Sequence, residues 1–325
     1  MKQIRWAMIG CGSVTEQKSG PGLYKAAGST LVAVMSRTLA RAEDWTARHG
    51  VGKAYDNIDR LLADEEIDAV YIATHPNTHR FYTLLCAGAG KAVYCEKPLG
   101  MNSEQSSQMV EYCNKQGVPF FSAYYRRALP KFLMIKEFID TAAWGAVQAV
   151  HVQMSKRASE SERAGTDPWR IQPEVSGGGH FHDIGSHALD LIDWYFGTIT
   201  HASGSSANKG GYYQAPDVVH GHFTTQSGVG GTGLWTFNTY KDEDRTTIYF
   251  EDARLEYSVL DIAAPIILTT EEGQKIIEVP APPAHVAQPL IQTVVDQLLG
   301  KGVCPSTGET GARTDRAIEL LLGKR

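Results

Sequence analysis

The chain has 325 residues, of which 42% are hydrophobic and 21% are charged, and its formal net charge at pH 7 is −5. This length predicts about two domains, and the composition excludes a disordered or collagen-like chain. The mildly acidic balance, without a block of Lys and Arg, argues against a nucleic-acid or anionic-membrane binder, and no apolar run approaches the roughly 18–20 residues of a membrane span.

Residues 1–122 alternate strand and helix patterns. Short, fully apolar and β-branched runs are typical of buried parallel strands. The predicted strands are Ile4–Ile9, Leu31–Met35, Ile67–Ala73, Ala92–Cys95 and Val118–Phe121, and the predicted helices are Leu39–His49, His79–Ala89 and Ser103–Gln116. Strands that alternate with helices of this length predict an α/β domain built on a doubly wound parallel sheet.

Residues 123–325 predict a second domain of the α+β class, with a large open, mostly antiparallel sheet. A predicted helix over Pro130–Ala142 precedes a strand over Val147–Met154. A Gly-, Pro- and charge-rich loop over Ser159–Gly179 and a helix over Ile184–Phe196 follow. The later strands are Val218–Thr225, Gly230–Thr239, Thr246–Glu251, Arg254–Val259, Ile266–Thr269 and Lys275–Val279. Two C-terminal helices, Val286–Leu299 and Gly311–Leu322, can pack back on the first domain.

A glycine-rich turn directly follows the first predicted strand. Gly10 and Gly12 permit a tight turn and let a pyrophosphate approach the backbone N–H groups of the next helix. Thr15 stands where a third glycine or alanine is usual, and a glycine turn between strand and helix is also an ordinary structural feature. Its place in a β-α-β pattern favours a dinucleotide site. Gly20–Gly22 predicts that the following helix is interrupted or starts late.

The end of the second strand indicates which cofactor binds. A site for NAD normally has Asp or Glu there, which accepts hydrogen bonds from the ribose hydroxyls. This chain has Ser36 and Arg37, with Arg41 one turn further on. A hydroxyl and guanidinium groups bind a 2′-phosphate through charge-assisted hydrogen bonds, so the sequence favours NADP, with NAD as the alternative. The other interpretation is that Arg37 is a solvated loop charge and either cofactor is used.

Two polar segments, Thr74–His79 and Glu96–Pro98, each follow a predicted strand. In open α/β sheets, ligands bind beyond the carboxyl ends of the strands. A lysine that emerges there, as Lys97 does, can donate to a substrate oxygen and stabilise a developing alkoxide. A lysine at a strand end is equally typical of an ordinary surface position.

A second candidate group follows the glycine run Gly177–Gly179, whose backbone can lie against a flat ring. Asp183 and His187 are four residues apart, so at the start of a helix they share one face. His187 can exchange a hydroxyl proton near neutral pH, and Asp183 can orient that imidazole or bind a neighbouring hydroxyl. Alone, Asp183 is as typical of a helix N-cap and His187 of a core histidine. No carboxylate or cysteine set completes a metal site with His180, His182 and His187, so no metal is predicted.

Together these segments resemble the Gfo/Idh/MocA family of sugar and cyclitol oxidoreductases. The matching residues are Gly10-x-Gly12, Pro76-Asn77-Thr78-His79, Glu96-Lys97-Pro98, Tyr125-Arg126-Arg127, Trp169-Arg170, Gly177-Gly178-Gly179 and Asp183-x-x-x-His187. The resemblance implies a Rossmann domain, followed by a domain whose large open sheet often makes the subunit interface. It also implies a cis peptide bond before Pro98.

The resemblance further implies reversible hydride transfer between NADP(H) and a hydroxyl or keto carbon of a sugar-like substrate. Lys97 and His187 would be the catalytic pair, Asp183 would help to bind the substrate, and Tyr125 and Arg126 would also contact it. The residues expected to bind the cofactor are Gly10, Gly12, Ser13, Val14, Ser36, Arg37, Arg41, Thr74, Pro76, Asn77, His79, Glu96, Lys97, Arg126, Trp169 and Arg170.

Several related functions stay open from the sequence. Ser36, Arg41 and Trp169-Arg170 are most similar to the NADP-dependent 1,5-anhydrofructose reductase branch. Dihydrodiol-dehydrogenase-like or biliverdin-reductase-like activity is the nearest alternative, although side chains such as His180 and His182 near His187 suit a polyhydroxylated substrate better. A dinucleotide sensor related to a galactose-pathway repressor could discard the lysine and histidine, which this chain keeps. Glycoside cleavage by transient oxidation shares the same early hydride chemistry.

The expected partners are a small sugar-like substrate and further copies of the chain. Trp235, Phe237 and Tyr249 alternate in the strand-rich half. They predict a homodimer or homotetramer through the outer face of the C-terminal sheet, unless they face the domain's own helices. The start of the chain has no secretory pattern, and the five scattered cysteines include no Cys-x-x-Cys, so reduced thiols and a cytoplasmic location are predicted.

Overall fold

The computed structural model describes residues 3–166 and 168–323. Fourteen strands lie within these residues. They are β1 Ile4–Ile9, β2 Ser29–Met35, β3 Lys53–Tyr55, β4 Ala69–Ile72, β5 Ala92–Cys95, β6 Phe120–Ser122, β7 Val147–Ser155, β8 Ile199–Ala207, β9 Val218–Thr225, β10 Gly230–Thr236, β11 Glu243–Phe250, β12 Arg254–Tyr257, β13 Ile266–Thr270 and β14 Gly273–Ile277.

Twelve α-helices lie within the same described residues. They are α1 Ser13–Gln17, α2 Gly22–Lys25, α3 Leu39–His49, α4 Ile58–Leu62, α5 Pro76–Gly88, α6 Ser103–Lys115, α7 Pro130–Asp140, α8 Glu160–Arg163, α9 Pro173–Ser176, α10 Ser186–Phe196, α11 Gln288–Leu298 and α12 Gly308–Leu321. Short 3₁₀ helices span Tyr125–Ala128 and Trp169–Ile171, and a π-helical turn spans Phe181–Gly185. None of the helices in the described part of the chain is both long and apolar enough to cross a bilayer.

The chain divides into two compact units. The first is built from the residues up to Gly100, from Glu104–Leu129 and from Pro283–Ala312. The second is built from Met101–Ser103, from Pro130–Pro282 and from Arg313 onward. Helix α11 therefore belongs to the first unit, although it follows the second sheet in the sequence.

The first unit contains a six-stranded sheet in the order β3-β2-β1-β4-β5-β6. All its neighbouring strands are parallel. Every residue of β4 and β5 is buried, because apolar clusters cover both faces of the sheet. One cluster includes Trp6 and Trp45, and the other includes Cys86 and Met109. The predicted doubly wound parallel sheet is confirmed.

The second unit contains an eight-stranded sheet in the order β14-β13-β12-β11-β7-β10-β9-β8. Its neighbouring strands are antiparallel except β7 and β10, which run parallel. One face is covered, and Val150, Val152 and Met154 of β7 are buried there. On the same face the Phe181 ring packs edge-on against Trp235, with 5.0 Å between ring centroids. The predicted open, mostly antiparallel sheet is confirmed.

Two of the three aromatic residues assigned to the outer sheet face lie inside the unit instead. Trp235 and Phe237 are fully buried, whereas Tyr249 is 40% exposed. Trp235 packs on Phe181, and the centroids of Phe237 and His180 are 5.4 Å apart. Alternation puts Trp235 and Phe237 on one face of a strand, but it does not reveal which face. The outer-face prediction is therefore wrong for these two residues, and the oligomeric state stays a prediction.

Candidate active site

The glycine turn has the backbone shape that a dinucleotide loop needs. Gly10 has φ +107°, and a Cβ there would lie 2.6 Å from the Ala73 carbonyl oxygen, so only glycine fits. No atom lies within 4 Å of the place that a Cβ on Gly12 would take, so the turn opens on free space. Thr15 is buried, and its hydroxyl donates to the Gly12 carbonyl at 2.8 Å. A hydroxyl thus closes the turn where a third glycine is usual.

The helix after this turn is short, as Gly20–Gly22 predicted. Helix α1 ends at Gln17, and α2 begins at Gly22. A Cβ on Gly20 would lie 2.1 Å from the Thr15 carbonyl oxygen, so the two helical turns are packed tightly at this break. The prediction of an interrupted helix is confirmed.

Two arginines after β2 face solvent, Arg37 in the loop and Arg41 in the first turn of α3. Arg37 and Arg41 are exposed, and neither forms an ion pair with another residue in the described parts of the chain. Arg41 lies close enough to the glycine turn that its charge opposes the effect of burial, which raises the pKa of the Cys11 thiol to about 11. The Thr38 N–H donates to Ser36 Oγ at 3.4 Å. Position 36 is a serine and not the Asp or Glu that would repel an anion. The end of β2 therefore suits an anionic group on the ribose.

His79 ties together the two polar segments at the carboxyl ends of β4 and β5. Its ring is fully buried, with Nδ1 2.9 Å from the Pro98 carbonyl oxygen and Nε2 3.1 Å from that of Thr74. The Lys97–Pro98 peptide bond is cis, as the resemblance implied. The buried imidazole packs between the Thr74 and Pro98 carbonyls, and the predicted contact between His79 and the cofactor stays a prediction.

Burial lowers the pKa of His79 to about 4, against about 6.5 in an unfolded chain. The ring is therefore neutral at pH 7, and its one N–H serves the shorter contact, to Pro98. Between pH 6.5 and pH 4 the unfolded chain binds the extra proton, so stability falls as the pH falls, by up to about 1.4 kcal/mol per pH unit.

We expect His79→Gln to remove this pH dependence. At pH 7 the variant is less stable than the wild type by about 1–3 kcal/mol, because the Pro98 carbonyl loses its donor. At pH 5 the difference shrinks by about 2 kcal/mol, because only the wild type must exclude a proton from this site. Urea denaturation at pH 7, 6 and 5 measures both values. Other buried histidines contribute equally to both proteins, so a difference that stays constant with pH would contradict the assignment.

Glu96 and Lys97 follow β5 directly, and the Glu96 carboxylate points back into the unit. Its Oε1 accepts a hydrogen bond from the Tyr71 hydroxyl at 2.6 Å, and its Oε2 accepts from the Lys97 N–H at 3.3 Å. The 3₁₀ helix after β6 holds Arg126, whose buried guanidinium lies over the Tyr125 ring, 5.0 Å from its centroid. The first unit thus holds Lys97, Tyr125 and Arg126 in defined positions.

The second unit brings together Trp169, Arg170 and Asp183. Arg170 Nε donates to Asp183 Oδ2 at 3.0 Å, and its guanidinium lies 4.7 Å from the centre of the Trp169 ring system. Asp183 therefore forms an ion pair instead of the N-cap that its position also suggested. The helix begins at Ser186 after the π-helical turn, two residues later than predicted, and His187 is 6% exposed in its first turn. Such π turns are frequent at functional sites.

The flat ring that lies against the glycine run is a side chain of this protein, His182. A Cβ on Gly178 would lie 2.2 Å from His182 Cε1, so the imidazole of His182 rests on the glycine backbone. His180 is buried, and its Nε2 lies 2.7 Å from Glu162 Oε1. Burial lowers the pKa of His180. Both rings are buried and hold the loop before Asp183, and the substrate contacts suggested for them stay a prediction.

Sequence reasoning missed two residues, one in each unit. Tyr71 lies within an apolar strand, where its pattern is that of a core residue. Glu162 had a usable signal, because Ser159-x-x-Glu162 is a capping box, and the structure forms both of its hydrogen bonds.

A parallel six-stranded sheet with an open glycine turn after its first strand and a lysine after its fifth is typical of dinucleotide-binding oxidoreductases. The family model described as "Oxidoreductase family, NAD-binding Rossmann fold" matches residues 4–124, and the one described as "GFO/IDH/MocA C-terminal domain" matches residues 132–256. The chain belongs to the Gfo/Idh/MocA oxidoreductase family. The predicted family, the oxidoreductase class and the NAD-binding fold are confirmed.

Similar proteins cover nearly the whole chain. It is 35% identical over 322 residues to Oxidoreductase P35 of Formosa agariphila, across 99% of each chain. It is 26% identical over 317 residues to 1,5-anhydro-D-fructose reductase of Ensifer adhaerens, across 94% of this chain and 92% of that one. The solved structure of aldose-aldose oxidoreductase from Caulobacter crescentus complexed with glycerol has the same fold, with a TM-score of 0.85, 20% identity, and coverage of 98% and 96%.

Proposed function

We propose that the protein is an NADP-preferring oxidoreductase that transfers a hydride between the nicotinamide ring and a hydroxyl or keto carbon of a sugar or polyol. The observation that carries the proposal is the Glu96–Pro98 segment at the carboxyl end of β5. Its carboxylate is turned inward to Tyr71 and to its own backbone, and the lysine follows it at the edge where ligands bind.

In this proposal the bound cofactor supplies or accepts the hydride at the substrate carbon. Lys97 donates to the substrate oxygen and stabilises its negative charge, and His187 exchanges the hydroxyl proton. Asp183 accepts a hydrogen bond from a neighbouring hydroxyl, and Arg170 orients its carboxylate through their 3.0 Å contact. The resemblance of these motifs to the family supports this division of roles.

The preference for NADP rests on the edge of β2. Arg37 and Arg41 are exposed and form no ion pair among residues 3–166 and 168–323, whereas Arg48 is already neutralised by Glu16 and Asp44. Two guanidinium groups without carboxylate partners suit a 2′-phosphate, which an acid at Ser36 would repel.

We expect the double variant Arg37→Gln/Arg41→Gln to bind NADPH about 10- to 100-fold more weakly, because two charge-assisted hydrogen bonds are lost. Its Kd for NADH should change little, because NADH has no phosphate there. Fluorescence titration with both cofactors measures the ratio. Arg60→Gln, an exposed arginine on α4, is the matched control. Equal losses for NADPH and NADH would show that the arginines act on general stability.

The substrate class rests on the family and on the relative named for 1,5-anhydro-D-fructose. The test is turnover of NADPH with a panel of keto-sugars that includes 1,5-anhydrofructose, next to oxidation of an aromatic trans-dihydrodiol with NADP⁺. We expect activity on the keto-sugars. Activity confined to the dihydrodiol would move the protein to the aromatic-diol class.

The proposal includes a reducing compartment and assembly through the C-terminal sheet. All five cysteines are free, and Cys11 is the one that is partly exposed.

The outer face of the sheet carries Tyr249, 40% exposed, and Leu234, 38% exposed. Light scattering tests the assembly, and a monomer at micromolar concentration would contradict it.

A further inference from the structure

Tyr71 is a fully buried tyrosine of β4 whose hydroxyl meets two polar groups from distant parts of the first unit. The hydroxyl lies 2.6 Å from Glu96 Oε1 and 2.9 Å from Ser19 Oγ. Ser19 is itself fully buried at the break between α1 and α2. Its N–H donates to the Val14 carbonyl at 3.1 Å, so it is attached to the first turn after the glycine loop.

The protons of this group can be assigned by counting. Tyr71 has one proton, and the carboxylate is both the closer and the stronger acceptor, so Tyr71 donates to Glu96. The Ser19 hydroxyl has one proton and two acceptors in reach, the Tyr71 oxygen at 2.9 Å and the Val14 carbonyl at 3.1 Å. Because the Tyr71 proton goes to Glu96, the Ser19 hydroxyl donates to the closer Tyr71 oxygen, and Ser19 stays attached to Val14 through its N–H. Burial next to Glu96 raises the pKa of Tyr71 well above its ordinary value, so the phenol stays protonated and remains a donor at every working pH.

The neighbouring Tyr94 shows that packing alone does not require this arrangement. Its ring stacks on Tyr71 with 5.0 Å between centroids, and it is equally buried. The Tyr94 hydroxyl, however, has no hydrogen-bond partner among the residues that the structure describes. Two stacked tyrosines of the same core therefore differ in one respect, the connection that Tyr71 makes through its oxygen.

We propose that Tyr71 is a positioning residue of the dinucleotide site, whose hydroxyl couples the turn after the glycine loop to the Glu96–Lys97 segment. The connection runs from Val14 through Ser19, Tyr71 and Glu96 to the Lys97 N–H. It fixes two loops that are far apart in the sequence, the one after β1 and the one after β5. The inference rests on the proposed cofactor roles of Val14, Glu96 and Lys97, and it is independent of the substrate.

The test compares Tyr71→Phe with Tyr94→Phe by fluorescence titration with NADPH and by thermal unfolding. Each variant removes one buried hydroxyl from the same stack. We expect Tyr71→Phe to bind NADPH about ten-fold more weakly, since a hydrogen bond to a charged group is lost, and Tyr94→Phe to bind like the wild type. Ser19→Ala should weaken binding in the same direction. It also serves as the second variant if Tyr71→Phe does not fold.

The NADPH affinity of a double variant with Glu96→Gln distinguishes a positioning role of Tyr71 from a purely structural one. Once Glu96→Gln has weakened the carboxylate end of the connection, adding Tyr71→Phe should cause little further loss of affinity. Equal NADPH affinity of Tyr71→Phe and Tyr94→Phe, or losses that multiply in the double variant, would overturn the proposal. Failure of the wild type to prefer NADPH would count against the proposed function instead, and the same comparison would then be made with NADH.

Discussion

Replacing Lys97 with methionine should lower kcat by about 100- to 1,000-fold, which is the cost of losing one donor to a developing oxyanion. Methionine keeps the unbranched stem and removes only the ammonium group. Lys97 stands directly after the buried strand β5, and Glu96 accepts a hydrogen bond from its backbone N–H. The backbone of the segment should therefore survive the substitution, and the loss should fall on kcat.

The measurement pairs steady-state turnover on an active keto-sugar with a fluorescence Kd for NADPH. A similar Kd together with the lost turnover would place the effect on chemistry. Lys115→Met, at the exposed end of α6, is the control for removing a lysine from the same unit. Near-full turnover of Lys97→Met would remove the amine from the mechanism.

His187→Asn is expected to lower kcat by about 100- to 10,000-fold, the range for losing a positioned general acid or base. His187 is 6% exposed in the first turn of α10, so the asparagine must fit a mostly closed space while it keeps some hydrogen-bonding capacity. NADPH binding should be unaffected, because His187 is not among the residues expected to bind the cofactor.

The matched control is His201→Asn, which changes an exposed histidine on β8 of the same unit. Its turnover should equal that of the wild type. If His187→Asn kept full turnover and stability, His187 would be a core histidine, the ordinary interpretation that its sequence position also allowed. If it lost NADPH binding instead of kcat, its role would be structural.

The parts of the fold that the sequence predicted are those with strong local signals. β1 and β5 begin and end at the predicted residues, because apolar runs bounded by turns specify them. β3 was missed because its three residues are all half-buried and carry no periodic pattern. β8 was missed because Ser, Gly and His make it an exposed strand whose pairing with β9 is specified by its partner.

The motifs of the site could be predicted from the sequence, but the contacts that their side chains make could not. Residues 96–98 could be placed at a strand end, because parallel strands end at the same edge of a sheet. The contacts of Tyr71 with Glu96 and of His79 with Pro98 join segments 25 and 19 residues apart, and only tertiary packing creates them. The burial of His79, His180 and His182 could not be predicted for the same reason, and burial decides whether an imidazole is open to a ligand.

We expect this chain to perform hydride transfer with a bound pyridine nucleotide. Hydride transfer is tested most directly by incubating the wild type with NADPH deuterated at nicotinamide C4, on either face, and a keto-sugar, and by locating the label with mass spectrometry. We expect one deuterium on the carbon that gains the hydroxyl, from one face only, and transfer that is about 100- to 1,000-fold slower with Lys97→Met. NADPH that binds tightly, while no deuterium reaches any sugar of the panel and no trans-dihydrodiol is oxidised with NADP⁺, would contradict hydride transfer by this chain and indicate a dinucleotide sensor.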